Sequence, residues 1–355
     1  MSANPIARLQ WWKITLPALF GVAVSAYLIA TTFNPASLAA ITFSYKLLAG
    51  LLLGVLFVVI RDFAFIYKIR LSTGNSISWK TAFLIIMLWE FGSAVTPGAV
   101  GGIAFALFLL TINGATYGKS TTLVLMNTFL DNVAFVVVFA MLYFITGPAM
   151  FDVSADCTDL HGHPVLQTVR QLGSKIWPAY FVYVFLALFL GTALFIVPHT
   201  TKGFFHALSR IPLLSFAKPW LIQYGSDIEE ASLELKSYAP MFWVKMTVAT
   251  FINWMARFAL PNALFFGFAV GGLDVLAVYA RQYVTWIFLV IPSTPGASGV
   301  AETAFMAMNC EFMPEGLSAA ITTVWRIYSY YIYLIIGAVL LRFWLKDKIK
   351  PKQAL

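Results

Sequence analysis

Eight apolar runs, at approximately 14–33, 38–60, 81–112, 121–147, 177–197, 241–270, 275–313 and 318–345, leave this chain little freedom in its choice of solvent. Crossing the hydrocarbon core of a bilayer as a helix takes about 20 apolar residues, and each run reaches that length. Composition agrees. Only 11% of the 355 residues are charged, against roughly 25% in a soluble domain, and mean hydropathy is +0.82. The short alternating segments of about ten residues that build an outer-membrane barrel are not seen. The fold class read from this pattern is an all-α polytopic membrane protein. The formal charge of +8 belongs to connections and tail, and no stretch could form the basic soluble domain that nucleic acid would need.

Lys and Arg in short loops favour the cytoplasm, so they orient the runs. Arg8 and Lys13 place the N-terminus inside, and the run that follows continues to about Phe33 without a small-x-small cleavage site, which reads as a retained first helix. The connection Asn34–Ser37 carries no basic residue and is outside; the stretch 61–80, with Arg61, Lys68, Arg70 and Lys80 against Asp62, reads as an inside loop. The loop 148–175 opens with Asp152, Asp156 and Asp159 and reads as external. The run 121–147 then leaves the cytoplasm, so 81–112 must both start and end there. It is broken at Thr96-Pro97-Gly98, and each half of about 15 residues spans only ~22 Å of helix, short of the ~30 Å core. A re-entrant hairpin is expected.

The second half reads as the mirror image. Lys202, Arg210, Lys218 and Lys236 in 198–240 and Arg342, Lys346, Lys348, Lys350 and Lys352 in the tail are expected inside. The run 275–313, broken at Thr294-Pro295-Gly296, must then enter from the opposite face. The expected plan has about six full transmembrane helices and two TPG-broken hairpins in an inverted repeat, a plan known from secondary transporters. It divides one membrane domain, 1–355, into a first helix (1–37), repeat 1 (38–147, hairpin 81–112), a connection (148–240, with helix 177–197), repeat 2 (241–345, hairpin 275–313) and a basic tail (346–355). Within the connection, Leu221, Tyr224, Ile228, Ala231, Leu235 and Tyr238 recur at helical spacing opposite Asp227, Glu229, Glu230 and Glu234. An acidic face is wrong for anionic lipid, so packing on the rest of the protein is expected.

The breaks carry the chemistry. Proline removes a backbone donor, and in hydrocarbon the freed groups must be satisfied by protein or a wet cavity. Half-helices restarting near Ala99 and Ala297 would present N–H groups and partial positive charge, a natural anion site. Thr96, Pro97, Gly98, Gly101 and Gly102 in the first break, and Thr294, Pro295, Gly296 and Gly299 in the second, are therefore candidate substrate-binding residues. The plainer alternative is that these glycines only let helices pack. Glu302 follows the second break, and a carboxylate at a helix centre costs ~2.5–3.5 kcal/mol to insert. Asp131 lies 35 residues after Thr96 and Arg326 lies 32 after Thr294, so an Asp131–Arg326 or Glu302–Arg326 pair is expected to join the halves. Glu90, Arg257 and Arg281 read as residues that snorkel or pair locally.

Cys157, Cys310 and the four histidines, His161, His163, His199 and His206, show no zinc spacing. No nucleophile–base motif and no phosphate-binding loop occurs, so neither metal, cofactor nor catalysis is expected.

At these residues the sequence resembles the lysylphosphatidylglycerol synthase transmembrane family, the flippase-like membrane proteins, from roughly Tyr45 to Phe343. The most specific element is Pro292-x-x-Pro295-Gly296-x-x-Gly299-x-x-Glu302 with Arg326 downstream; the first TPG motif and Asp131 match less specifically. The resemblance implies a lipid translocation module, which in multidomain members moves aminoacylated phospholipid after a cytosolic domain has made it. Stand-alone members are linked to lipid, glycolipid or polyprenyl carriers. This chain ends at Leu355, so no aminoacyl-transferase domain and no synthase activity are expected. The function expected is movement of an anionic or glycosylated lipid across the cytoplasmic (inner) membrane, with both termini cytoplasmic. Two alternatives stay open: a secondary transporter of a small soluble anion, and an accessory subunit of a lipid-modifying or glycosyltransferase enzyme. Homo-oligomerisation is left open too.

Overall fold

The computed structural model describes residues 41–96, 100–113, 115, 117–151, 165–196, 198–211, 218–268, 271–289, 296–314 and 317–349. Within them the chain is helical and no strand occurs. The elements are α1 (Tyr45–Ser72), α2 (Trp79–Val95), α3 (Val100–Ile112), α4 (Tyr117–Thr146), α5 (Val165–Gly191), α6 (Pro198–Leu208), α7 (Lys218–Lys236), α8 (Pro240–Gly267), α9 (Val275–Phe288), α10 (Val300–Asn309), α11 (Ser318–Arg326) and α12 (Ile332–Ile349). A 3-10 turn, Gly147–Phe151, extends α4; π turns, Thr192–Ile196 and Ile327–Tyr331, extend α5 and join α11 to α12. The expected first helix, the acidic residues of 148–175, His161, His163 and Cys157 lie outside the described residues.

Among the described residues, four stretches are long and apolar enough to cross a membrane: Tyr45–Ser72, Gly118–Phe151, Ile176–Ile196 and Ser318–Arg342. By contrast α2 has 17 residues, α3 13, α9 14 and α10 10. At 1.5 Å per residue the longest of these reaches only ~26 Å. α2 and α3 pack on each other across the first break, where a side chain on Gly92 would meet the ring of Phe105 and one on Gly102 would meet Ser93 and Trp89. α9 and α10 pair in the same way across the second break.

Among the described helices, α1 and α8 make the most extensive contact. Gly50, near the start of α1, lies against Gly267 at the end of α8, so near that a Cβ on Gly50 would overlap the Gly267 backbone. Further along, Asn253 Nδ2 donates to the Arg61 carbonyl at 2.9 Å. The two helices therefore run antiparallel. Their outer faces expose Leu52, Val55, Val59 and Phe63 on α1 and Val244, Val248, Ile252 and Met255 on α8. In water this would be a large apolar patch; in a bilayer it is the lipid-facing surface, while charge is kept inside.

The stretch 61–80 is not the loop its basic residues suggest. α1 continues to Ser72, Arg61 and Lys68 are buried within it, and the turn to α2 is short, with left-handed Gly74 and Asn75 before the Ser78 cap. The basic residues that marked a cytoplasmic loop include two that face carboxylates on other helices. The helix expected at 177–197 likewise begins earlier, at Val165, because nothing in 165–176 outside a membrane forbids helix.

The connection 198–240 folds as α6 and α7. α7 packs on α4, α6 and the π turn of α5, burying Leu221, Gly225, Ser232 and Leu235. Its acidic residues meet protein cations: Glu229 bonds Lys202 at 2.6 Å and His199 at 2.5 Å, and Glu234 lies 3.6 Å from Lys119.

Candidate functional site

The second break ends in a run of left-handed residues, Gly296 (φ 57°), Ala297 (φ 52°) and Gly299 (φ 86°). Ala297 has no glycine's licence for that region, so the turn holds local strain. A side chain on Gly296 would meet the ring of Tyr330, which explains a glycine there twice over. From this turn α10 starts, and Glu302 sits in its first turn, accepting from the Gly299 N–H at 2.7 Å. A carboxylate there satisfies an orphan donor and complements the helix dipole.

The other oxygen of Glu302 accepts from Arg326 Nε at 2.6 Å. Arg326 Nη2 donates to the Gly296 carbonyl at 3.1 Å and to Ser298 Oγ at 3.2 Å. The guanidinium also lies over the Tyr330 ring, 4.2 Å from its centroid. Both charged residues are buried, Glu302 8% and Arg326 4% exposed. The π turn after Arg326 adds a residue to the helix and brings Tyr330 under the guanidinium; such bulges are frequent at functional sites. Tyr330 OH then donates to the carbonyl of Ala94 at 3.1 Å. Ala94 precedes Thr96, whose hydroxyl bonds the Gly92 carbonyl at 2.7 Å and ends α2. The chain Glu302–Arg326–Tyr330–Ala94 thus ties the second break to the first.

The sequence-predicted residues divide accordingly. Glu302, Arg326, Gly296 and Gly299 come together, and Thr96 lies two residues from the Tyr330 contact. Gly101 and Gly102 lie in the first turn of α3. Pro97, Gly98, Thr294 and Pro295 lie outside the described residues. Asp131 does not pair with Arg326: its carboxylate takes Lys68 Nζ at 2.8 Å and Trp254 Nε1 at 3.0 Å, joining α4 to α1 and α8. Lys68 on α1 is nearer than Arg326 and fully buried, so it takes the charge.

Sequence reasoning missed a second buried cluster. Glu90 on α2 holds Arg61 of α1 and Arg257 of α8, each at 2.9 Å. Arg61 also pairs with Asp62 at 3.0 Å, and Tyr333 OH donates to Asp62 at 3.0 and 3.1 Å. Arg281 pairs with Glu311, on the 3-10 turn after α10, at 2.7 Å. The signal for the cluster was available, since Glu90 and Arg257 both interrupt apolar runs, but Arg61 was counted as loop. Cys310 is disulfide-bonded, and no group of three or more metal-ligating side chains occurs among the described residues.

The model of the lysylphosphatidylglycerol synthase TM region matches residues 18–337. The chain belongs to that family. A curated relative, a UPF0104 membrane protein of Archaeoglobus fulgidus, is 23% identical over 303 residues, covering 81% of this chain and 85% of its own. No solved structure matches. The family and the apolar helices together make this a multi-pass membrane protein. In the family's terms, the matched span includes both breaks, Glu302 and Arg326.

Proposed function

We propose that this protein is a flippase-like transporter that moves an anionic or glycosylated lipid between the leaflets of the cytoplasmic (inner) membrane and has no catalytic activity of its own. The observation that carries the reading is the chain of contacts from Glu302, hydrogen-bonded to Arg326, through the Tyr330 ring under the guanidinium to the Tyr330 hydroxyl on Ala94, which couples two broken helical segments inside a membrane bundle. Discontinuous helices that meet near the midplane form the substrate site in many transporters that work by alternating access. The short helices α2, α3, α9 and α10 are read as re-entrant hairpins from opposite faces, with N- and C-termini cytoplasmic. The disulfide at Cys310 supports that orientation, because such bonds persist on the oxidising side of the membrane.

In this arrangement Glu302 occupies the place an anionic headgroup would take: it neutralises Arg326 and caps α10. A phosphate entering the site exchanges with Glu302 for the guanidinium, and a proton on Glu302 would ease its departure. A soluble anion could use the same exchange. What favours a lipid is a groove of about 490 Å³ on the outer flank of α1 and α8, lined by Val59, Phe63, Tyr67, Val248 and Ile252 among others. It would accommodate acyl or isoprenoid chain beside the bundle.

The test is reconstitution in liposomes with fluorescent anionic and zwitterionic lipids, with trapped phosphate as a second readout. Scrambling of the anionic lipid above empty vesicles, lost in Arg326→Ala, is expected. Phosphate efflux without scrambling would replace this reading with the soluble-anion one.

A further inference from the structure

A second polar site lies away from the breaks, where the chain turns from α5 into the cytoplasmic connection. His199, Lys202, His206 and Arg210 recur every three or four residues and so share one face of α6 and the turn that follows it. With Glu229 of α7 they line one cavity of about 390 Å³. Glu229 is already matched, since Lys202 and His199 both bond it. The other two polar residues of the cavity, His206 and the exposed Arg210, are not. No carboxylate among the described residues pairs with Arg210, and the Nε2 of His206 is shielded from solvent without a hydrogen-bond partner. A shielded nitrogen without a partner is costly unless something fills it.

We propose that this α6–α7 elbow binds a phosphate-bearing anion, held by Arg210 and His206. Guanidinium and imidazole donors suit tetrahedral phosphate oxygens. One carboxylate stands in the cavity, but its charge is spent on Lys202 and His199, so the surplus is positive. Two sources could supply the ligand: a soluble phosphorylated compound, or the headgroup of an anionic lipid at the cytoplasmic surface, for which basic clusters beside a membrane helix are the usual receptor. The site is independent of the transport reading.

The two groups without partners can be altered without breaking an observed bond. The purified full chain, in nanodiscs of zwitterionic lipid, is titrated with pyrophosphate and followed by microcalorimetry. A parallel arm omits pyrophosphate and counts phosphatidic acid retained from mixed-lipid nanodiscs by native mass spectrometry. Saturable binding in either arm, weakened about tenfold or more in the Arg210→Gln/His206→Gln double variant, is expected. The arm that responds names the source. Matching unfolding temperatures for the two proteins would exclude loss of fold; if the double variant unfolds earlier, the single Arg210→Gln variant serves. No saturable binding in either arm, or equal binding by variant and wild type, overturns the proposal.

Discussion

Two buried ionic centres each take one residue from α11 or α12, Arg326 and Tyr333, and they are built differently. Around Glu90, two arginines, two carboxylates and Tyr333 come from continuous stretches of helix. Around Glu302, a single ion pair is completed by backbone: the Gly299 N–H on the carboxylate and the Gly296 carbonyl on the guanidinium. Each charged group of the first centre already faces an opposite charge, although Arg257 Nε has no hydrogen-bond partner. The second is made partly of groups that a helix break has already freed. A membrane interior tolerates charge in either way; the proposed function needs only the second centre to exchange its partner.

Breaking the first centre should therefore cost most in stability. Glu90→Ala leaves the partly buried Arg257 without a carboxylate and the buried Arg61 with Asp62 alone, for which about 3–5 kcal/mol is expected, read as a large fall in unfolding temperature in detergent. Glu302→Gln should cost less, about 1–2 kcal/mol, because the amide oxygen still accepts from Gly299 and Arg326 keeps Gly296 and Ser298. If the two variants destabilise equally, the distinction between the centres fails. Tyr330→Phe removes one hydroxyl bond to Ala94, about 1 kcal/mol. Its transport rate should fall more than its stability does, since that bond joins the breaks.

The smallest effect lies outside both centres. Hydrogen bonds from Lys202 and His199 hold the Glu229 carboxyl below the usual carboxylate range. Its contribution to the α6–α7 contact is thus present above that range and is lost as pH falls through its lowered value. Hydrogen exchange of α7 should rise on acidification, and Glu229→Gln should abolish that pH dependence. An unchanged pH response in the variant would assign it to other groups.

The contrast between the centres also explains what could be read from sequence. Membrane class, helical fold and the two breaks follow from apolar length and from proline and glycine within it. The Glu302–Arg326 pair was within reach because a lone carboxylate and a lone arginine in apolar runs each demand a partner. Arg61 and Lys68 were not, because counting basic residues to set topology treats each as solvated. Their partners, Glu90 and Asp131, lie 29 and 63 residues away on other helices, so only tertiary packing reveals that α1 continues through them. Tyr330 was missed for a local reason: the π turn that aims it shifts the helical phase, which no spacing rule anticipates.

The most direct measurement of the account is anionic-lipid scrambling by Glu302→Gln and Glu90→Gln, side by side and normalised to folded protein. The exchange at Glu302 predicts that Glu302→Gln loses scrambling although it stays folded, while whatever folded Glu90→Gln survives keeps it. Full scrambling by folded Glu302→Gln would contradict the account.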